Sequence, residues 1–231
     1  MGGELRIRSA LRAAAISGAL GLALVPLASR AGEARIQVRD AAGAPVEDAV
    51  ASLWPADGSP PPASPPAPAS MDQRNVQFAP HVLAVQRGAS VAFPNSDQIR
   101  HHVYSFSEPK RFELRLYSGV PAEPIVFDKA GTVVLGCNIH DDMVGFVRVL
   151  DTPWFATTAA DGLAHVANVP PGRYRVELWH PRAQDGAPGA PLVVEISASA
   201  PAALDASLPL GPEPPRDKPK RALRDRLRGG P

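Results

Sequence analysis

The sequence predicts an all-β chain, and three observations carry that expectation. Short apolar runs, many alternating with polar residues, recur along the chain between clusters of Gly, Pro, Asn and Asp. The 231 residues include 27 Pro and 19 Gly but only three Trp and three Tyr, a loop-rich composition. A hydrophobic content of 45% with 20% charge is ordinary for a folded soluble protein of one or two domains.

At the N-terminus Arg6, Arg8 and Arg12 precede an apolar run over 13–27, followed by Ala28-Ser29-Arg30-Ala31. That pattern reads as an export signal over 1–31, cleaved near Ala31. The run is shorter than the roughly 20 residues needed to span a bilayer. The expectation is a soluble protein in a periplasm-like compartment, with no transmembrane segment in the mature chain. Losing 1–31 removes four arginines and Glu4, leaving 20 basic and 22 acidic residues. The tail 211–231 is proline-rich, then basic, with a net charge of +4, so the body carries about −6. An acidic body argues against nucleic-acid binding, and the tail reads as disordered.

Residues 35–40 alternate apolar and polar, 41–45 turn, and 46–54 read as a second strand; a lone hairpin of this kind is not stable. The proline-rich 57–70 reads as a semi-rigid linker. Within 71–150, strands are predicted at 75–78, 82–86, 90–94, 102–106, 125–127, 132–135 and 145–149. Turn signals such as Arg87-Gly88 and Asn95-Ser96-Asp97 separate them. Seven short strands suggest a sandwich or barrel. The least regular part, 108–123, reads as a long loop holding a brief strand. Beyond Leu150, strands are predicted at 163–166, 174–180, 192–196 and 203–210, again too few for a sandwich of their own.

Cys137-Asn138-Ile139-His140-Asp141-Asp142-Met143 places the only cysteine, a histidine and a methionine three residues apart between two apolar strands. A lone cysteine in an exported protein forms no internal disulfide, so it is a free thiol, an intermolecular bridge or a ligand. Thiolate, imidazole and thioether suit copper, and one more imidazole completes a trigonal site of two His and one Cys with a long axial Met. Zinc seldom accepts a thioether. The missing imidazole has two adjacent candidates, His101 and His102, of which strand alternation lets only one face the site. His81, His165 and His180 lack partners at ligand spacing and read as structural or surface residues. No nucleophile–base pair, phosphate loop or catalytic carboxylate pair is evident, so a catalyst is not expected.

Asn95, His101 and Val103, with Cys137-x-x-His140-x-x-Met143-x-Gly145-x-Val147, resemble the cupredoxin family over about 80 residues, and the tight ligand loop is most similar to amicyanin. The resemblance implies a Greek-key β-sandwich and makes His101, Cys137, His140 and Met143 the ligands of one copper ion per chain. It also implies one-electron transfer to a redox partner and puts Asn95, His102 and Asn138 beside the ligands. The sequence departs from the plastocyanin pattern in having His102 where an Asn ties the ligand loops together. Ile139 stands in place of a proline, and Asp141 and Asp142 flank His140. Those two carboxylates read first as solvated charges; lying near the copper, they would favour a basic partner surface docking near His140, Asp141 and Asp142.

Residues 38–49 resemble the opening of a carboxypeptidase-regulatory-like, transthyretin-type sandwich, and Asp161-Gly162 with 168–176 resemble its closing half. That resemblance implies a host sandwich split over 32–56 and 151–210, with the copper unit 71–150 inserted. The whole arrangement resembles exported proteins described as methylamine-utilisation or plastocyanin-like. Two other functions compete: a copper carrier or sensor without electron transfer, and a carbohydrate- or envelope-binding sandwich with Trp154, Tyr174 and Trp179 as a sugar platform. Core packing is the plainer reading of those aromatics.

Overall fold

A computed structural model describes residues 31–121, 123–183 and 192–212. The expected export signal, up to residue 30, and the tail from 213 lie outside the described residues. In chain order the strands are β1 (Gly32–Arg39), β2 (Val50–Pro55), β3 (Ala69–Ser70), β4 (Asp72–Arg74), β5 (Gln77–Ala79) and β6 (Val82–Gln86). They continue as β7 (Ala89–Ala92), β8 (His101–Ser105), β9 (Phe112–Tyr117), β10 (Ile125–Phe127), β11 (Gly131–Cys137) and β12 (His140–Leu150). The last are β13 (Phe155–Thr157), β14 (Leu163–Val169), β15 (Gly172–Trp179), β16 (Leu192–Ile196) and β17 (Ala202–Ser207). The described chain is thus all-β, as its composition and turn spacing require.

Strand alternation builds two separate cores. In β1, Ala34, Ile36 and Val38 are buried while Arg35 and Arg39 face solvent. The strand lies between β14, antiparallel to it, and β17, parallel to it. A second sheet orders β13-β2-β15-β16. Ile36 and Val166 from the first sheet pack with Leu53, Val176 and Ile196 from the second. The other core joins a five-stranded sheet, β6-β12-β11-β8-β9, to the sheet β10-β7-β3. Val133, Leu135 and Val147 there meet Val91 and Phe127. A smaller cluster, Val50, Val82 and Leu150 with Phe146 and Trp179 against it, touches both groups of strands. Phe146 meets Trp179 edge-on at 6.1 Å, and the Arg148 guanidinium lies 5.4 Å from the Trp179 ring centre, a cation–π contact.

Several local features differ from the expectation. The predicted strand 75–78 is a hairpin: Arg74 pairs with Gln77 and the turn is Asn75-Val76, with φ of 53° and 60°. Two positive φ values give the twist that suits a two-residue hairpin, but a β-branched residue there costs about 1–3 kcal/mol. The second strand starts at Val50 rather than 46, because Asp48 is left-handed (φ 61°) and Thr158 Oγ1 bridges the bend. That hydroxyl accepts from the Ala49 N–H at 2.8 Å and donates to the Val46 carbonyl at 2.7 Å. The stretch 108–123 contains the full strand β9. The proline-rich segment is docked: Ser64 exchanges hydrogen bonds with Gln86, and Ala69–Ser70 pair in parallel with β7.

The sugar platform is overturned. Trp154 and Tyr174 are 6% and 5% exposed and pack edge-to-face at 5.3 Å inside the first core, so neither offers a ring face to a sugar.

His165 pairs with Glu33 at 2.8 Å, and His81 packs edge-on against Phe146. Burial, with the charges of Arg182 and His81, pushes the His180 pKa down to about 4, against a hydrogen bond to the Glu47 backbone that raises it. Its folded pKa therefore lies below its unfolded value, so its stabilisation is complete above about pH 6.5 and is lost as pH falls towards 4. Since His180 is only part-buried, the expected loss between pH 7 and pH 5 is about 1 kcal/mol. Urea melts at the two pH values test this; an equal pH dependence in His180→Asn would refute it.

Candidate metal centre

The Cys-x-x-His spacing becomes geometry through the β11–β12 hairpin. Its strands run up to the two side chains themselves, so that Cys137 pairs with His140 across a two-residue turn. Directly opposed residues of a hairpin project to the same face. Cys137 is also in phase with Val133 and Leu135, and so it faces the core and is 4% exposed. The register slips between Gly136 and Cys137: Gly136 pairs with Val144, leaving 141–143 as extra residues on β12. In that bulge Asp141 and Asp142 face solvent while Met143 is buried, 1% exposed, in the cluster that holds Cys137. A side chain on Gly136 would meet the Tyr104 ring at 2.9 Å, so glycine lets β8 close on the hairpin.

β8 supplies the second imidazole. His101, Val103 and Ser105 are in phase and fully or nearly fully buried. His102 takes the other face, where Nε2 meets Glu113 at 2.9 Å and the ring packs near Tyr104. Its hydrogen bond thus goes to β9 rather than to the ligand loop. Asn138 is exposed at the hairpin tip beside Ile139.

His101 Nδ1 lies 3.9 Å from Cys137 Sγ, and His140 Nδ1 lies 3.6 Å from the same sulfur. The two rings are tilted by 60° with centres 4.9 Å apart. Among the described residues these three form the one group of metal-ligating His, Cys, Asp or Glu side chains that converge, their ligand atoms all within 4.8 Å. An ion about 2.0–2.1 Å from nitrogen and about 2.3 Å from sulfur, at trigonal angles, separates the two atoms by about 3.8 Å. The observed separations bracket that value and are long for a strong hydrogen bond. The donor set therefore fits a metal ion.

The surroundings hold the set rigid. Asn95 Nδ2 donates to the carbonyls of Ile99 and Tyr117, and Asn95 Oδ1 accepts the Asp97 N–H, so the residue shapes the loop ahead of His101. Tyr117 pairs with His101 across β8 and β9, and its hydroxyl donates to the Phe93 carbonyl at 2.6 Å. Burial pushes its pKa up to about 12; a Gln73 hydrogen bond opposes that, and the charges of Asp72 and Cys137 add to it. It is a neutral prop.

Asp97 was legible in the sequence only as part of a turn. In the structure its Oδ2 lies 2.7 Å from His101 Nε2. The signal that could have found it is a carboxylate four residues before a candidate ligand, the arrangement that fixes the far nitrogen of metal-bound histidines.

No protein-family model matches the chain, and no curated protein sequence matches it. Solved structures do. A purple cupredoxin from Nitrosopumilus maritimus is 22% identical, with a TM-score of 0.32, over 36% of this chain and 99% of its own. An amicyanin variant in its reduced state is 22% identical, with a TM-score of 0.32, over 45% of this chain and 100% of its own. Part of this chain is similar to cupredoxins. A copper-containing nitrite reductase from Thermus scotoductus is 25% identical, with a TM-score of 0.34, over 50% of this chain but only 28% of the reductase.

Proposed function

We propose that the chain is a type 1 (blue) copper protein and a one-electron carrier, in which His101, Cys137, His140 and Met143 would hold one ion. The convergence of two imidazole Nδ1 atoms on one buried sulfur supports this reading more than any other observation. Copper in such a set alternates between Cu(I) and Cu(II), taking up or releasing one electron. The protein's part is to keep the donors in place. His101 is fully buried and backed by Tyr117 and Asp97, Cys137 is fixed by the hairpin, and Met143 turns inward at the bulge. His140 is part-exposed while His101, Cys137 and Met143 are buried, which makes it the ligand nearest to a partner's approach. Its chain neighbours Ile139, Asp141 and Asp142 are exposed, offering an apolar contact and negative charge next to it. A redox partner with a basic rim docks there, with an on-rate that falls as salt rises. His81, His165 and His180 lie on other elements with other partners, which favours a carrier over a catalyst.

We also infer that 32–56 with 151–210 form a host sandwich into which the copper unit 71–150 is inserted, and that the export signal sends the protein to the periplasm. Strand pairing between 32–39 and 202–207, and two cores that share no residue, support the division.

Purified protein titrated with Cu(II) is expected to take up one equivalent, develop an intense visible thiolate-to-copper band and show a reversible couple in cyclic voltammetry. A colourless protein would sink the copper reading. Binding with a band but no reversible couple would make the protein a copper carrier or sensor instead.

A further inference from the structure

The clamp around Asp97 is more elaborate than an ion pair. Its Oδ1 accepts the Asn75 N–H at 2.7 Å, and its Oδ2 accepts the Val76 N–H at 2.9 Å as well as facing His101 Nε2 at 2.7 Å. Both amides come from the β4–β5 turn, whose two residues have positive φ. Successive amides in such a turn point to one side and make an anion-binding concavity. Val76 is a backbone outlier for a β-branched residue. On the near side, the Asn95 side chain holds the Asp97 backbone N–H at 3.0 Å. The carboxylate is thus fixed from the hairpin, from its own loop and from the histidine.

We propose that Asp97 is a positioning residue for the metal centre: anchored by the Asn75-Val76 turn, it keeps the His101 hydrogen on Nε2 and leaves Nδ1 bare towards Cys137. This rests on the copper reading. A carboxylate acceptor 2.7 Å from Nε2 requires the hydrogen on that nitrogen, and in the neutral ring the free lone pair then falls on Nδ1, the atom 3.9 Å from the sulfur. With His101 fully buried, its ring has no solvent to exchange partners with, and the carboxylate at 2.7 Å is a much closer partner than the sulfur at 3.9 Å. The consequence reaches the β4–β5 hairpin, whose turn supports a ligand through the Asp97 side chain.

The test uses the full chain as parent, Asp97→Ala and Asp97→Asn. Ring nitrogen shifts of His101, measured by NMR on metal-free protein, are expected to show one fixed tautomer with hydrogen on Nε2 in the parent and a mixture in Asp97→Ala. Copper affinity is expected to fall roughly 10- to 100-fold in Asp97→Ala. If that variant does not fold, Asp97→Asn keeps the shape, loses the charge and one acceptor, and is expected to raise the reduction potential and weaken copper binding. Val76→Gly keeps both amides at a φ that glycine accepts and is expected to leave the tautomer unchanged. An unaltered His101 tautomer with copper affinity within twofold in the Asp97 variants would overturn the proposal. A parent that takes up no copper would instead refute the copper reading, while the metal-free tautomer measurement still decides for or against Asp97.

Discussion

A Cys137→Ser chain is expected to lose both the visible band and tight copper binding while keeping its fold. Serine has nearly the same shape, so the hairpin turn between residues 137 and 140 and the strands packed around it are kept. The fold therefore loses little, about 1 kcal/mol, for a slightly smaller buried group. The metal loses far more. A thiol beside a cation ionises to a soft anionic ligand, whereas an alcohol stays neutral and hard at the same pH. Removing that ligand should cost more than the roughly 10–100-fold that loss of an outer partner costs. Absorbance titration alongside far-UV circular dichroism measures both halves of the expectation. A folded Cys137→Ser chain with the parent's band would mean that the colour and the ion belong elsewhere.

The legible part of the site was the part encoded locally. Cys137 and His140 sit at the two ends of a two-residue turn, and Cys137 shares its phase with Val133 and Leu135, so spacing and alternation alone put both side chains on one face. The choice between His101 and His102 was not local. Alternation says only that one faces inward; the family resemblance points to His101, and the packing of β8 between β11 and β9 is what turns that side chain inward. The β4–β5 hairpin escaped notice because its turn is Asn-Val, without the glycine that marks such turns. Asp97 escaped with it, since its meaning depends on amides more than 20 residues away. In strand β9 Phe112 and Leu114 are half-buried and Glu113 and Arg115 exposed, but Leu116 is exposed and Tyr117 half-buried, so the period of two breaks before the strand ends. Trp179 alternates with the polar face of β15, with Arg175 and Glu177, yet lies against Phe146 and Arg148 of β12. Sequence read as single strands misses a surface that a distant strand covers.

That covered surface bears on the second large effect, which tests whether the two cores are separate units. Leu53 and Phe127 are both fully buried, one in each core. Leu53→Ala is expected to cost about 2–5 kcal/mol and Phe127→Ala about 3–5 kcal/mol, from lost burial plus the cavity left behind. They share no cluster, so their effects should add. If 71–150 is an insert with its own core, the substitutions should act on different transitions. Heating copper-loaded protein while following the visible band reports on 71–150, and calorimetry reports on the whole chain. Phe127→Ala is expected to lower the temperature at which the band is lost. Leu53→Ala is expected to lower a calorimetric transition while moving the band much less. Some coupling must remain, because Val50, Val82 and Leu150 with Phe146 and Trp179 join the two groups of strands and would be exposed if either opened alone. The band in Leu53→Ala should therefore shift slightly rather than not at all. Equal lowering of one shared transition by both substitutions would show that the junction binds the two cores into a single cooperative unit, and that the inserted arrangement describes the chain's order but not its folding.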